Sequence, residues 1–171
     1  PNVLEGCFRQ ILKSPGYGSN MFQIMFDLSY RRHGALIIFS NSLNINSYII
    51  NTNCFLNSSG STLHQALANK ISTINLSSMK TAMKPLVLEL ASVDGALIFD
   101  NQSGSVIAFG AMISPHKNAN KESGARSTAS VSAYHHKMQP IKISSDGEIV
   151  IFLSHIENKT LKEELIRLTF L

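Results

Sequence analysis

Asp94-Gly95-Ala96-Leu97-Ile98-Phe99-Asp100-Asn101-Gln102-Ser103-Gly104-Ser105-Val106-Ile107-Ala108-Phe109 is the stretch on which the fold turns. Asp-Gly is a turn signal, and the short apolar run Ala96–Phe99 behind it has the length and content of a buried strand. Asn101–Gly104 gathers turn formers, so the chain reverses into a second strand at Val106–Phe109, with a continuation through Ala111–Ile113. Just upstream, Met83, Leu86, Val87, Leu90 and Ala91 recur at helical spacing between Thr81 and Val93. Pro85 falls in the first turn of that helix, where its missing N–H costs nothing. Downstream, polar Ser114–Ser123 reads as a loop headed by Pro115. Gly124–His135 reads as a helix, although its Ser and Thr content gives a poor propensity. Ile141–Ile143 and Ile149–Leu153 then flank Ser144-Ser145-Asp146-Gly147, a hairpin signature. Lys159–Leu168 has the apolar spacing of a closing amphipathic helix.

Working toward the start, Ala35–Phe39 is an apolar run after Gly34, which predicts a strand buried on both faces. Ser40–Ser47 is crowded with Asn and Ser and reads as a loop, and Tyr48-Ile49-Ile50 as a short strand. Ser61-Thr62 followed by Leu63, Ala66, Leu67 and Ile71 predicts a capped helix. Val3–Leu12 and Met21–Leu28 are helical segments separated by a break at Ser14–Gly18. Strands and helices alternate without repeats or a linker. The expectation is one α/β domain with a central mixed β-sheet flanked by helices: an N-terminal helical segment over 1–30 and one globular unit over 31–171.

Composition bounds the function. The chain has 171 residues, 44% hydrophobic and 15% charged, enough for one well-buried core and unlike a disordered chain. Ala35–Phe39 and Ile149–Leu153, its longest apolar runs, are far shorter than the roughly 20 residues that span a bilayer. No signal peptide is visible, so the expected location is cytoplasmic. The chain opens at Pro1 without an initiator Met, which reads as a piece of a longer protein with a partner domain before it. Through Leu88, seven Lys/Arg face only Glu5 and Asp27, a net +5, whereas the remainder carries eight basic and nine acidic residues, a net −1. No dense basic stripe interleaved with aromatics is present, which argues against nucleic acid as the ligand. Cys7 and Cys54 lack metal-ligand spacing and read as buried free thiols. His135-His136 are adjacent, so on a helix they point in different directions and read as a solvated pair.

Four segments in order carry a family resemblance. Arg32-His33-Gly34-Ala35-Leu36-Ile37-Ile38 is similar to an early His-Gly-Gly strand. Asp94-Gly95-Ala96-Leu97-Ile98-Phe99-Asp100 resembles a signature Asp-Gly-Ala strand entry. Gly124-Ala125-Arg126-Ser127-Thr128-Ala129-Ser130 stands where Gly-Thr-Arg-His-Arg-Ala-Ala is expected, and Ser144-Ser145-Asp146-Gly147-Glu148-Ile149 resembles a Ser-Glu-Glu/Asp hairpin. Together, over about Arg31 to Leu153, they resemble the diadenylate-cyclase (DAC) domain family, which condenses two ATP into cyclic di-AMP. Phe109-Gly110-Ala111 and the last hairpin are closest to a sensor-like branch of it.

The resemblance implies a site. Gly95, Ala96, Leu97, Gly124, Ala125 and Arg126 would bind the nucleotide, Asp94, Ser127 and Thr128 would stand at the catalytic positions, and Asp94 and Asp146 would hold a Mg or Mn ion accompanying a triphosphate. Backbone amides at the start of the Gly124 helix suit phosphate. Ser127 and Thr128 depart from the family, which carries His and Arg there. Joining a ribose hydroxyl to an α-phosphate is mainly positioning and charge stabilisation, so losing two cationic groups harms turnover more than binding. Ser127 has no His–Asp arrangement nearby in sequence and does not read as a nucleophile. The expected function is a nucleotide sensor, catalytically degenerate, taking an adenine nucleotide or cyclic dinucleotide. The alternatives are an active diadenylate cyclase and a dimerisation domain without ligand. The resembled family assembles its product between facing subunits, so the resemblance leaves a homo-oligomer open and assembly state bears on the choice between these functions.

Overall fold

The computed structural model describes residues 18–41, 45–56, 62–157 and 160–168. The helix expected at Val3–Leu12 and Cys7 lie outside the described residues. Helix α1 (Gly18–Tyr30) leads to strand β1 (Ala35–Ser40). Short 3-10 turns at Ile45–Tyr48 and Thr52–Cys54 come next, then helices α2 (Thr62–Ser72) and α3 (Lys84–Ser92). Strands β2 (Ala96–Asp100) and β3 (Val106–Ala111) form the expected hairpin, helix α4 (Ala125–His135) crosses back, and β4 (Gln139–Ile143), β5 (Ile149–Glu157) and β6 (Thr160–Leu168) close the chain.

The strands form one mixed sheet in the order β3-β2-β1-β4-β5-β6. β1 runs parallel to β2, pairing Ile37 with Leu97, and antiparallel to β4, pairing Leu36 with Lys142. β1 is buried at every position because helices cover both faces. Successive residues of a strand face opposite sides, so each strand feeds two cores. Ile37, Phe39, Leu97, Phe99, Ile141 and Ile143 pack under α1, α2 and α3 through Met21, Ile24, Leu28, Ile71, Val87 and Leu90. Phe39 and Phe99 stack at 5.6 Å. Leu36, Ile38, Ala96, Ile98 and Ala108 pack on the other face against Ala133 of α4, Met138, and Ile45, Ile49 and Phe55 of the 3-10 region. The molecule is thus a single α/β domain with helices on both faces of one sheet.

Three elements depart from expectation. Lys159–Leu168 is not a helix: Thr160–Leu168 is strand β6, antiparallel to β5 from Ile149↔Leu168 to Glu157↔Thr160. Its apolar spacing alone would suit a helix, but β5 runs on past Leu153 and offers an unpaired edge whose N–H and C=O groups the tail satisfies. Tyr48-Ile49-Ile50 is not a strand either. Tyr48 ends the 3-10 turn Ile45–Tyr48, and Ile49 makes a single bridge, to Ile113. The helix expected from Thr81 begins as a 3-10 turn, Thr81–Met83, before α3.

Candidate functional site

Because β1 and β2 are parallel while β3 and β4 run against them, the starts of β1 and β2 and the ends of β3 and β4 lie at one end of the sheet. The N-terminus of α4 closes over that end. Between them is an open cavity of about 590 Å³, within the range of small-molecule sites. Gly34, Leu36, Asp94, Gly95, Met112, Gly124, Ala125, Arg126, Ser127, Lys142, Ser144 and Ser145 are among the residues that line it.

Gly95 sets the floor. It sits at φ +101°, and a Cβ there would stand 2.4 Å from the carbonyl carbon of Gly110. Only glycine lets the β2 entry approach the end of β3 so closely. That approach places Asp94 on the rim, its side chain fully exposed, where one Oδ1 meets Nη2 of Arg126 at 3.3 Å. The Arg126 guanidinium lies over Gly34: a Cβ on Gly34 would be 2.9 Å from Nη1. Gly34 therefore makes room for the arginine. Nε of Arg126 is buried without a hydrogen-bond partner among the described residues.

Gly124 is the extended N-cap residue of α4, and its carbonyl accepts from Thr128 N–H at 2.9 Å. The N–H groups of the first helical turn have no acceptor within the helix and carry the positive end of its dipole. Ser127 Oγ faces the cavity and accepts from Nζ of Lys142 at 3.4 Å. Lys142 in turn pairs with Glu148 across the β4–β5 hairpin at 3.8 Å.

Of the residues expected at the site, Asp94, Gly95, Gly124, Ala125, Arg126 and Ser127 come together around the cavity. Ala96 and Leu97 do not line it: both are fully buried within β2, one in each core. Thr128 faces away, its Oγ1 accepting from Glu122 N–H at 3.1 Å and so tying the preceding loop to α4. Asp146 stays in the hairpin turn, where Oδ1 accepts from Glu148 N–H at 3.1 Å and its carbonyl accepts from Arg32. Ser29 Oγ donates to the Gly147 carbonyl at 2.5 Å, so the end of α1 clasps the same turn.

Lys142 was not legible as a site residue. The available signal is weak: one lysine between Ile141 and Ile143, whose burial in the helix-covered core leaves Lys142 on the opposite face with Leu36. The histidines also differ from expectation. His135 stacks on His116 at 5.2 Å, and His136 stacks on Tyr48 at 4.3 Å and meets His116 edge-on at 4.9 Å. Desolvation, then the neighbouring His136, His135, Lys117 and Lys137, holds the His116 pKa below the ordinary imidazole value. His136 Nε2 lies 3.0 Å from the Ser114 carbonyl, and among the described residues no three His, Cys, Asp or Glu are placed to hold a metal. Cys54 is free and buried, and burial pushes its thiol pKa up. Among the described residues no helix is long and apolar enough to cross a membrane.

No family model matches the chain, and no curated protein matches it. Among solved structures it is similar to a hypothetical membrane spanning protein from Bacillus cereus, with a TM-score of 0.55 and 19% identity over 95% of this chain and 72% of that one. It is also similar to a double mutant of DacA from Staphylococcus aureus, with a TM-score of 0.45 and 20% identity over 85% of this chain and 83% of that one. At such identity the first likeness is one of fold alone.

Proposed function

We propose that the cavity between the Asp94-Gly95 turn and the start of α4 binds an adenine nucleotide or cyclic dinucleotide and turns ATP over slowly or not at all. The observation that carries this reading is the convergence of two sequence-distant motifs. Asp94 and Arg126, 32 residues apart, meet at 3.3 Å on the rim of one cavity beside the first turn of α4. Amide donors, a guanidinium and an apolar wall of Leu36, Met112 and Ile113 suit a phosphate attached to a flat base. The four-segment resemblance to DAC domains supplies the adenine preference and the role of a module that reports occupancy to a partner domain or a second copy.

A resident metal fits poorly. Asp94 is the one carboxylate expected to bind metal that reaches the cavity, since Asp146 is engaged in its turn. A Mg or Mn ion arriving with a triphosphate fits better, because such ions take one or two protein carboxylates and complete their shell from phosphate and water. Asp94 would hold it.

Turnover is expected to fail at Ser127, where the resemblance implies a cationic side chain at the cavity; Thr128 faces away from it. Each missing charge-assisted contact is worth about 1.5–3 kcal/mol. At about 1.4 kcal/mol per decade, losing the one at position 127 slows the reaction roughly tenfold to a hundredfold. The test is incubation with ATP and Mg²⁺ or Mn²⁺, with chromatography of products and calorimetric binding in parallel. Binding without cyclic di-AMP is the expected result. Robust synthesis would replace the sensor reading with an active cyclase.

A further inference from the structure

Lys142 enters the cavity from β4. It pairs in register with Leu36, so its side chain rises on the α4 face of the sheet. The ammonium reaches Ser127 Oγ at 3.4 Å, and the side chain is only 17% exposed. Glu148, 24% exposed, lies 3.8 Å from it. That is long for a charge-assisted hydrogen bond, which favours about 2.7–2.9 Å. The lysine is thus held loosely by a carboxylate on one side and a hydroxyl on the other.

A largely covered ammonium between a neutral hydroxyl and a carboxylate 3.8 Å away has unused donor capacity, since it offers three N–H groups. The nearest anion-seeking groups are the first-turn amides of α4, beside Ser127. Across the same cavity stands Arg126, already engaged with exposed Asp94. Two cations, each paired with a carboxylate, therefore line one cavity, and an entering anion competes with each carboxylate for its cation.

We propose that Lys142 is the second cationic contact of the site. It seats a ligand phosphate together with Ser127 Oγ and the amides of the first α4 turn, and Glu148 is the counter-ion that phosphate displaces. The adenine half of this statement rests on the nucleotide reading above; the phosphate half does not. Ser127 then works as a bridge to a cation donated by the neighbouring strand, and the charge missing from α4 itself is partly restored from β4.

The test is calorimetric titration of the whole chain with pyrophosphate, AMP and adenosine at low salt, for wild type, Lys142→Met, Lys142→Arg and Glu148→Gln. Loss of one charge-assisted contact predicts that Lys142→Met weakens pyrophosphate and AMP by about tenfold to a hundredfold, with adenosine unchanged. Lys142→Arg keeps most of the affinity. Glu148→Gln tightens both phosphate ligands by roughly two- to fivefold by removing their competitor. A role for the lysine in shaping the fold alone would move adenosine as well and would not give opposite signs at 142 and 148.

Equal AMP affinity in wild type and Lys142→Met overturns the proposal and leaves the nucleotide reading intact. Pyrophosphate binding that depends on Lys142, without any adenosine binding, supports the proposal and overturns the adenine reading. Weaker phosphate binding in Glu148→Gln, or no binding of any probe by wild type, overturns it.

Discussion

The sheet face under α1, α2 and α3 is a continuous apolar layer from Met21 to Ile151, whereas the face under α4 thins toward one end and finishes in Arg126, Ser127 and Lys142. Three helices seal the first face. One helix, with serines at the buried positions Ser130 and Ser132, covers the second together with short 3-10 turns. Both faces draw on the same strands, through alternate residues. The division of labour is therefore written within each strand: in β4, Ile141 and Ile143 stabilise one side, and Lys142 equips the other. A face that keeps an open cavity cannot also be filled with side chains, and its stability has to come from the reverse side.

The largest test of this contrast is to hollow the sealed face. Phe99 is fully buried and stacked on Phe39, and Phe99→Ala is expected to cost about 3–5 kcal/mol by chemical denaturation. That is a large part of a domain's usual 5–15 kcal/mol. A cost near zero would mean that the helix-covered face is not the main source of stability.

A smaller effect is expected where the two faces meet. Gly95→Ala puts a Cβ 2.4 Å from the Gly110 carbonyl carbon in a backbone at φ +101°. The strain alone is worth about 1–3 kcal/mol, and relief by shifting the β2 entry would move Asp94 away from Arg126. Thermal melting and nucleotide titration should both change. A melting temperature equal to wild type would show that the tight approach is dispensable.

At the rim of the cavity the expected effect on stability vanishes. Asp94 is wholly exposed and its contact with Arg126 is on the rim, so Asp94→Asn should leave the melting temperature unchanged, as solvated ion pairs contribute little. The same change should make ATP affinity less responsive to Mg²⁺, by roughly threefold to tenfold for one lost carboxylate ligand. Unaltered Mg²⁺ dependence would remove Asp94 from the metal role and leave it as the partner of Arg126.

What the amino-acid order determined is mostly local. The Asp94-Gly95 turn, the β2–β3 hairpin and the apolar β1 are written in residues a few positions apart, as are α3 with Pro85 in its first turn and the Ser144–Gly147 hairpin. Each follows from periodicity or turn chemistry that needs no distant partner. The reading failed where a distant partner chose. Thr160–Leu168 has helical spacing and became β6 because the edge of β5 was there to pair with. Thr128 and Ser127 are neighbours, yet Thr128 binds the Glu122 loop while Ser127 faces the cavity, because helical rotation turns adjacent residues apart. Lys142 gave almost no local signal. Only the strand order, which sets β4 beside β1 and β1 beside β2, brings its ammonium to α4 and Asp94 to Arg126. Sequence specifies the elements through short-range pattern, and the pairing of elements across the sheet decides which charges meet.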